Sequence, residues 1–173
     1  MPRLFVAVRP PAEVLERVAA LDRPSLPGLR WTTPDQWHVT LRFLGQVDDA
    51  DAVVEALTAA VTAAPAAEAV LGPATGRFDQ RVLHVPVSGL AGLAGAVVGA
   101  TAHLGRPPEG RPFAGHLTLA RVARGARVDL RPLAAAAVAA RWAVGEVGLI
   151  ESHLSPAGAR YELRARVPLG PPG

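Results

Sequence analysis

Cysteine is absent from the 173-residue chain, and lysine is absent too, so all 18 basic side chains are arginine. Without cysteine there are no disulfides, thiolate zinc sites or cysteine nucleophiles, which fits a reducing compartment. Because arginine alone supplies the basic charge, the pI of about 10.8 accompanies a net charge of only +3. The arginine count therefore says little about a phosphate-bearing partner. Long apolar runs are also missing. Leu4 to Val8 stops at Arg9-Pro10, too short for a signal-peptide core, and Gly89 to Ala102 falls short of the ~20 residues that span a bilayer. A cytoplasmic location without membrane association is expected. No His-x-His, His-Glu-x-x-His, glycine-rich phosphate loop, nucleophile elbow or dinucleotide fingerprint occurs, so zinc and nucleotide-cofactor chemistries are disfavoured. With 50% apolar and 19% charged residues, the composition is that of a globular domain.

Periodicity predicts a strand at Leu4 to Val8, then a helix that opens on Pro11 and carries Val14, Leu15, Val18 and Leu21. Prolines and Gly28 keep residues 23–35 irregular, with Trp31 as their buried anchor. From Trp37 the pattern alternates: Trp37, Val39, Leu41 and Phe43 share one strand face, and His38, Thr40 and Arg42 the other. Asp48, Asp49 and Asp51 introduce a second helix with Val53, Val54, Leu57 and Val61 as its stripe. Strands are expected at Ala67 to Leu71 and Val82 to Val87. A third helix, capped by Ser88, runs to Leu104 despite Gly92, Gly95 and Gly99, each costing about 1 kcal/mol against alanine. Pro132 and the alanine run to Ala140 predict a fourth helix. Val144 to Ser152 and Ala159 to Val167 form a closing hairpin around Ser155 to Gly158, and Pro168 to Gly173 fray. The pattern predicts an α+β fold, a single domain over residues 1–173 with two pseudo-two-fold lobes. Mainly antiparallel sheets carry helices outside and a central groove, and the boundary between lobes is expected near residues 75–90.

The strand at Trp37 has one near-copy. His38-Val39-Thr40-Leu41 returns as His116-Leu117-Thr118-Leu119, one copy in each expected lobe. A single His-x-Thr is uninformative; two copies facing one groove have a chemistry. Imidazole titrates near pH 6.5, so one histidine can act as base while the other acts as acid. A threonine two residues along points the same way, about 6 to 7 Å further on, and can donate to an oxygen of the same ligand. A phosphate diester suits such a site, because two transferring oxygens need protons moved and the non-bridging oxygens need donors. From Arg106 to Arg131 six arginines stand against Glu109 and Asp129, a surplus that can attract an anion. His84, His103 and His153 lie in no repeated context and are read as structural. Arg42 has the parity of the cleft. Phe43, Phe78 and Tyr161 are candidates for base stacking.

The two motifs, with Arg3 to Val8, Phe43-Leu44-Gly45, Arg121 and the segment from Ser152 to Tyr161, resemble the two-histidine phosphoesterase superfamily. Within it they are most similar to the bacterial and archaeal RNA 2′,3′-cyclic phosphodiesterases, also called 2′-5′ RNA ligases. That resemblance implies hydrolysis of a 2′,3′-cyclic phosphate end to a 2′-phosphomonoester without metal or other cofactor. It implies His116 as base and His38 as acid, Thr40 and Thr118 on non-bridging oxygens, and Arg121 offsetting transition-state charge. A 5′-hydroxyl in place of water would form a 2′-5′ linkage by the same proton transfers. The implied partner is RNA or a nucleotide with a 2′,3′-cyclic phosphate, with no membrane, no obligate protein partner and a monomeric state. A non-catalytic RNA-end-binding module, or an enzyme for small cyclic nucleotides or 2′-5′ oligonucleotides, are the alternatives. One count conflicts with this scheme: Arg121 has the parity of Leu117 and Leu119 and faces the cleft only if the strand bulges or ends after Leu119.

Overall fold

The computed structural model describes residues 1–170. Its strands are β1 (Arg3–Val8), β2 (Leu29–Trp31), β3 (Val39–Gln46), β4 (Ala67–Leu71), β5 (Gly76–Phe78), β6 (Val82–Ser88), β7 (His116–Val122), β8 (Ala140–Val144), β9 (Glu146–Ser155) and β10 (Gly158–Pro168). They form one ten-stranded sheet in the order β10-β9-β1-β3-β7-β6-β4-β8, with β2 beside β7 and β5 beside β6. Each pairing is antiparallel. Three helices complete the α+β fold among the described residues: α1 (Ala12–Ala19), α2 (Ala50–Val61) and α3 (Ala91–Thr101). No helix is long and apolar enough to cross a membrane.

Each helix is held by one buried stripe. The Asp49 carboxylate caps α2 by accepting from the Ala52 amide, and Val53, Leu57 and Val61 repeat at four-residue spacing into the core. A methyl group added at Gly92, Gly95 or Gly99 of α3 would meet nothing within 4 Å. That helix is therefore sustained by the burial of Leu93, Ala94, Val97 and Thr101 rather than by its propensity. Helices α2 and α3 pack on each other and over β10 and β3, while α1 packs on β8. The convex face carries Val39, Leu41, Leu117 and Leu119 into the core shared with these helices.

Four expectations are corrected. The alanine run is no helix: a 3-10 turn at Arg131–Leu133 is followed by Ala135 at φ 82°, and Ala137 bridges Ala74. The Thr75 amide donates to the Ala136 carbonyl, the Ala135 amide donates to the Thr75 carbonyl, and the Thr75 hydroxyl donates to Leu133. Pairing with residues 73–75 thus outweighs alanine's helix preference. The irregular stretch 23–35 contains β2, in which Trp31 is half-buried and donates to the Pro24 carbonyl. Residues 75–90 do not separate two lobes, because the closing β9–β10 hairpin returns to β1 and the sheet halves interleave along the chain. Lastly, Pro168 ends β10 as a paired residue; the frayed end expected over 171–173 lies outside the described residues.

Candidate active site

In the middle of the sheet β3 meets β7 at one pair, Val39 opposite Leu117. These are the residues that follow the two motif histidines, so the local two-fold axis passes between the motifs. Extended by one residue each way, this antiparallel register places His38 beside Thr118 and Thr40 beside His116. In regular geometry the two histidine Cα positions are about 8 Å apart, with both side chains on the concave face. That register puts His38, Thr40, His116 and Thr118 on one face of the sheet, where the charge of His116 acts on His38.

The same local device orients both imidazoles. His38 Nδ1 lies 2.7 Å from the Gln36 carbonyl and His116 Nδ1 lies 2.9 Å from that of Ala114, each two residues upstream. A carbonyl only accepts, so Nδ1 carries a proton in either charge state and Nε2 is the atom left for chemistry. The Gln36 carbonyl is held by a 3-10 turn at Pro34–Gln36, in which the Gln36 side chain accepts from the Thr33 amide and donates to the Ala159 carbonyl. His116 follows Gly115, where an added methyl would stand 2.3 Å from the Val87 carbonyl. Between the motifs, the Thr32 hydroxyl accepts from the Trp37 indole at 2.9 Å and shares its one proton between the Thr118 and Leu119 carbonyls, at 2.8 and 2.9 Å. Sequence reading missed Thr32, because its carbonyl partners on β7 lie 86 and 87 residues away in the chain.

Both motif strands bulge at the same place. Thr40 pairs with Ala7 and Arg42 with Val6, leaving Leu41 as the extra residue. Thr118 pairs with His84 and Ala120 with Leu83, leaving Leu119 extra. Each bulge reverses parity beyond it. On β7 it buries Ala120 and turns Arg121 to the concave side, where its charge acts on His38 and Tyr161. On β3 it buries Arg42, only 5% exposed, and leaves Phe43 half-buried under Arg3 and Arg106. Arg42 therefore does not enter the cleft. Its guanidinium donates to the Thr101, Leu104 and Arg106 carbonyls beyond the end of α3, a cation on the last turn of a helix.

Around the histidines the two halves differ. His38 stands against Phe5 and Tyr161, with ring centroids at 4.8 and 5.3 Å. It forms one wall of a cavity of about 610 Å³ that also reaches Trp37, Ile150, Tyr161 and Leu163. His116 stands against Phe78 at 4.8 Å and His84 at 5.6 Å. Sequence context marks His84 as structural, whereas the structure places it in the cleft opposite Thr118. The available signal was its parity, opposite to that of Leu83, Val85 and Val87. His103 is exposed just beyond α3. His153 gathers with Glu151 and Glu162, and Glu151 also pairs with Arg164. Glu151 and His153 share the parity of buried Leu149 and so leave the sheet on the face away from the cleft.

Electrostatics separate the pair further. Burial pushes His38 down to about 4, helped by the charges of His116, Arg121 and Arg9 against the Gln36 hydrogen bond. At neutral pH His38 is therefore neutral, with the Thr40 hydroxyl donating to its Nε2 at 2.9 Å. The arginine surplus around His116 disperses: Arg111 pairs with Glu109, Arg131 with Asp129, and Arg106 lies over Phe43.

A family model described as the 2′-5′ RNA ligase superfamily matches residues 10–156. The chain belongs to this superfamily. Among solved structures, TT0787 of Thermus thermophilus is 27% identical, covering 96% of this chain and 97% of its own, with a TM-score of 0.78. E. coli LigT is also 27% identical, covering 98% of each chain, with a TM-score of 0.71. At 16% identity and a TM-score of 0.52, the phosphodiesterase domain of MHV ns2 shares the fold. No curated protein sequence matches the chain.

Proposed function

We propose that this 2′-5′ RNA ligase superfamily member is a metal-independent phosphodiesterase that opens RNA 2′,3′-cyclic phosphate ends to 2′-phosphomonoesters. The observation that carries this reading is the Val39–Leu117 pair, which puts two His-x-Thr units on one concave face, each Nδ1 tied to a backbone carbonyl so that Nε2 is the nitrogen left for proton transfer. E. coli LigT has been solved with 3′-AMP and with phosphate, which supports a nucleotide phosphate as the ligand.

We assign the proton roles from the electrostatics, opposite to the assignment that the resemblance implies. His38, neutral with its Nε2 lone pair toward the cleft, takes the proton of the attacking water as the new P–O bond forms. His116 gives its Nε2 proton to the 3′ oxygen as the P–O3′ bond breaks. The charge of His116 also opposes protonation of His38. The Thr40 hydroxyl has a single proton, and when it turns to a non-bridging oxygen it releases the His38 lone pair. Thr118 donates to the facing oxygen, and Arg121, brought round by the bulge, offsets the charge gathering on the phosphorane-like transition state. A 5′-hydroxyl replacing water would be activated by the same His38 and yield a 2′-5′ linkage. The test is turnover of a 2′,3′-cyclic mononucleotide, a cyclic-ended RNA and a 2′-5′ dinucleotide in excess chelator. Opening of the cyclic substrates supports the reading, and RNA binding without product on long incubation overturns it.

A further inference from the structure

The function just proposed uses two imidazoles, and the cleft contains a third. His84 is only 7% exposed, yet no hydrogen bond from the described residues satisfies it, and its Nδ1 is sealed from solvent without a partner. The ring is locked in place. Phe78 stacks on it at 4.1 Å and 32°, and it lies across Gly76, where an added methyl would stand 3.1 Å from Cε1. A proton on Nδ1 would be a buried donor with no acceptor, so the favoured tautomer carries it on Nε2, the nitrogen not sealed in. Burial, reinforced by the charge of His116, lowers His84 to about 4 and keeps it neutral.

The register shows where that donor works. His84 pairs with Thr118 across β6 and β7, whereas in the other half Thr40 pairs with Ala7, which has no donor. We propose that His84 is a phosphate-binding residue of the cleft, its Nε2–H donating to a non-bridging oxygen of the phosphoryl group held beside Thr118 and His116. Being neutral, this donor binds the anion without opposing a proton on His116, as an arginine there would. The assignment rests on the phosphodiesterase reading only for the identity of the substrate.

Two measurements test it. In the wild-type protein with ¹⁵N-labelled histidine, NMR should show the Nε2–H tautomer for His84, with a resonance that moves when inorganic phosphate is added. In His84→Phe, which keeps the ring over Gly76, inorganic phosphate should bind about tenfold more weakly, and kcat/KM for a 2′,3′-cyclic mononucleotide should fall at least tenfold. An Nδ1–H tautomer, a resonance unmoved by phosphate, or phosphate affinity and kcat/KM within twofold of wild type in His84→Phe overturns the assignment. The NMR measurement decides it even where His84→Phe fails to fold. Phosphate binding through His84 in a protein that opens no cyclic phosphate would sink the proposed reaction and leave the assignment standing.

Discussion

The two halves of the sheet share a backbone plan and differ in what hangs on it. Half one, β10-β9-β1-β3, presents His38 and Thr40; half two, β7-β6-β4-β8, presents His116 and Thr118. Each histidine is oriented by a carbonyl two residues upstream, and each strand bulges one residue after its threonine. Register then matches Ala7 with His84 and Phe43 with Arg121. Half one uses these positions for apolar contact and opens into the 610 Å³ cavity, while half two fills them with His84 and Arg121. On the proposed reading, repeated geometry supplies an acid and a base, and unequal dressing decides which is which and where the anion sits.

The largest effect should show the halves to be equal in necessity. His38→Ala and His116→Ala should each lower turnover of a cyclic-ended RNA by about 10³-fold or more. Near-normal rates in either variant would sink the paired mechanism. The next comparison separates the halves: Arg121→Ala should cost about 10²-fold in kcat, while Phe43→Ala, its register counterpart, should stay within about threefold. Equal losses would remove the assignment of anion binding to half two.

A third test uses pH. His38 and His84 are held near 4 against an ordinary 6.5, so the unfolded chain takes up protons first as pH falls. Stability is complete above about 6.5 and declines between 6.5 and 4, by an amount on the order of 3 kcal/mol per imidazole. Urea denaturation at intervals from pH 7.5 to 4 should show this slope, and His84→Phe should flatten part of it. An unchanged slope in that variant argues against a neutral His84. Thr32→Val cuts the tie between the halves and should cost about 1 to 2 kcal/mol in the same assay, with kcat falling alongside. The smallest change is a gain: Gly95→Ala, in open space on α3, should add about 0.5 to 1 kcal/mol and leave kinetics alone.

Much of this was legible in the chain, and the rest failed for identifiable reasons. The motif strands, β1, β4, β6, the closing hairpin and the three helices follow from period and punctuation, which are local. The bulges do not, since Leu41 and Leu119 look like any apolar strand residue and only the pairing partner reveals the extra one. That one blind spot misplaces Arg42 and leaves the parity of Arg121 unresolved. The alanine run failed because its carbonyl and amide partners at 73–75 are distant in sequence. The same distance hid the interleaving of the halves. His84 lies in no repeat and its only local signal is its parity; its meaning lies in the Thr118 it faces and the Ala7 it replaces.

The return of the last hairpin to β1 has a consequence for synthesis. On an emerging chain β1 can pair with β3 as soon as Gln46 is made, but its other edge stays open until Gly148 to Glu151 appear. Tyr161, which closes over His38, comes later still. A released chain ending after β8 would have both motif strands but lack β9, β10 and Tyr161, and with them the His38 wall. The cleft is therefore among the last parts of the molecule to mature, and the completed C-terminal hairpin is what turns a paired set of strands into a shaped site.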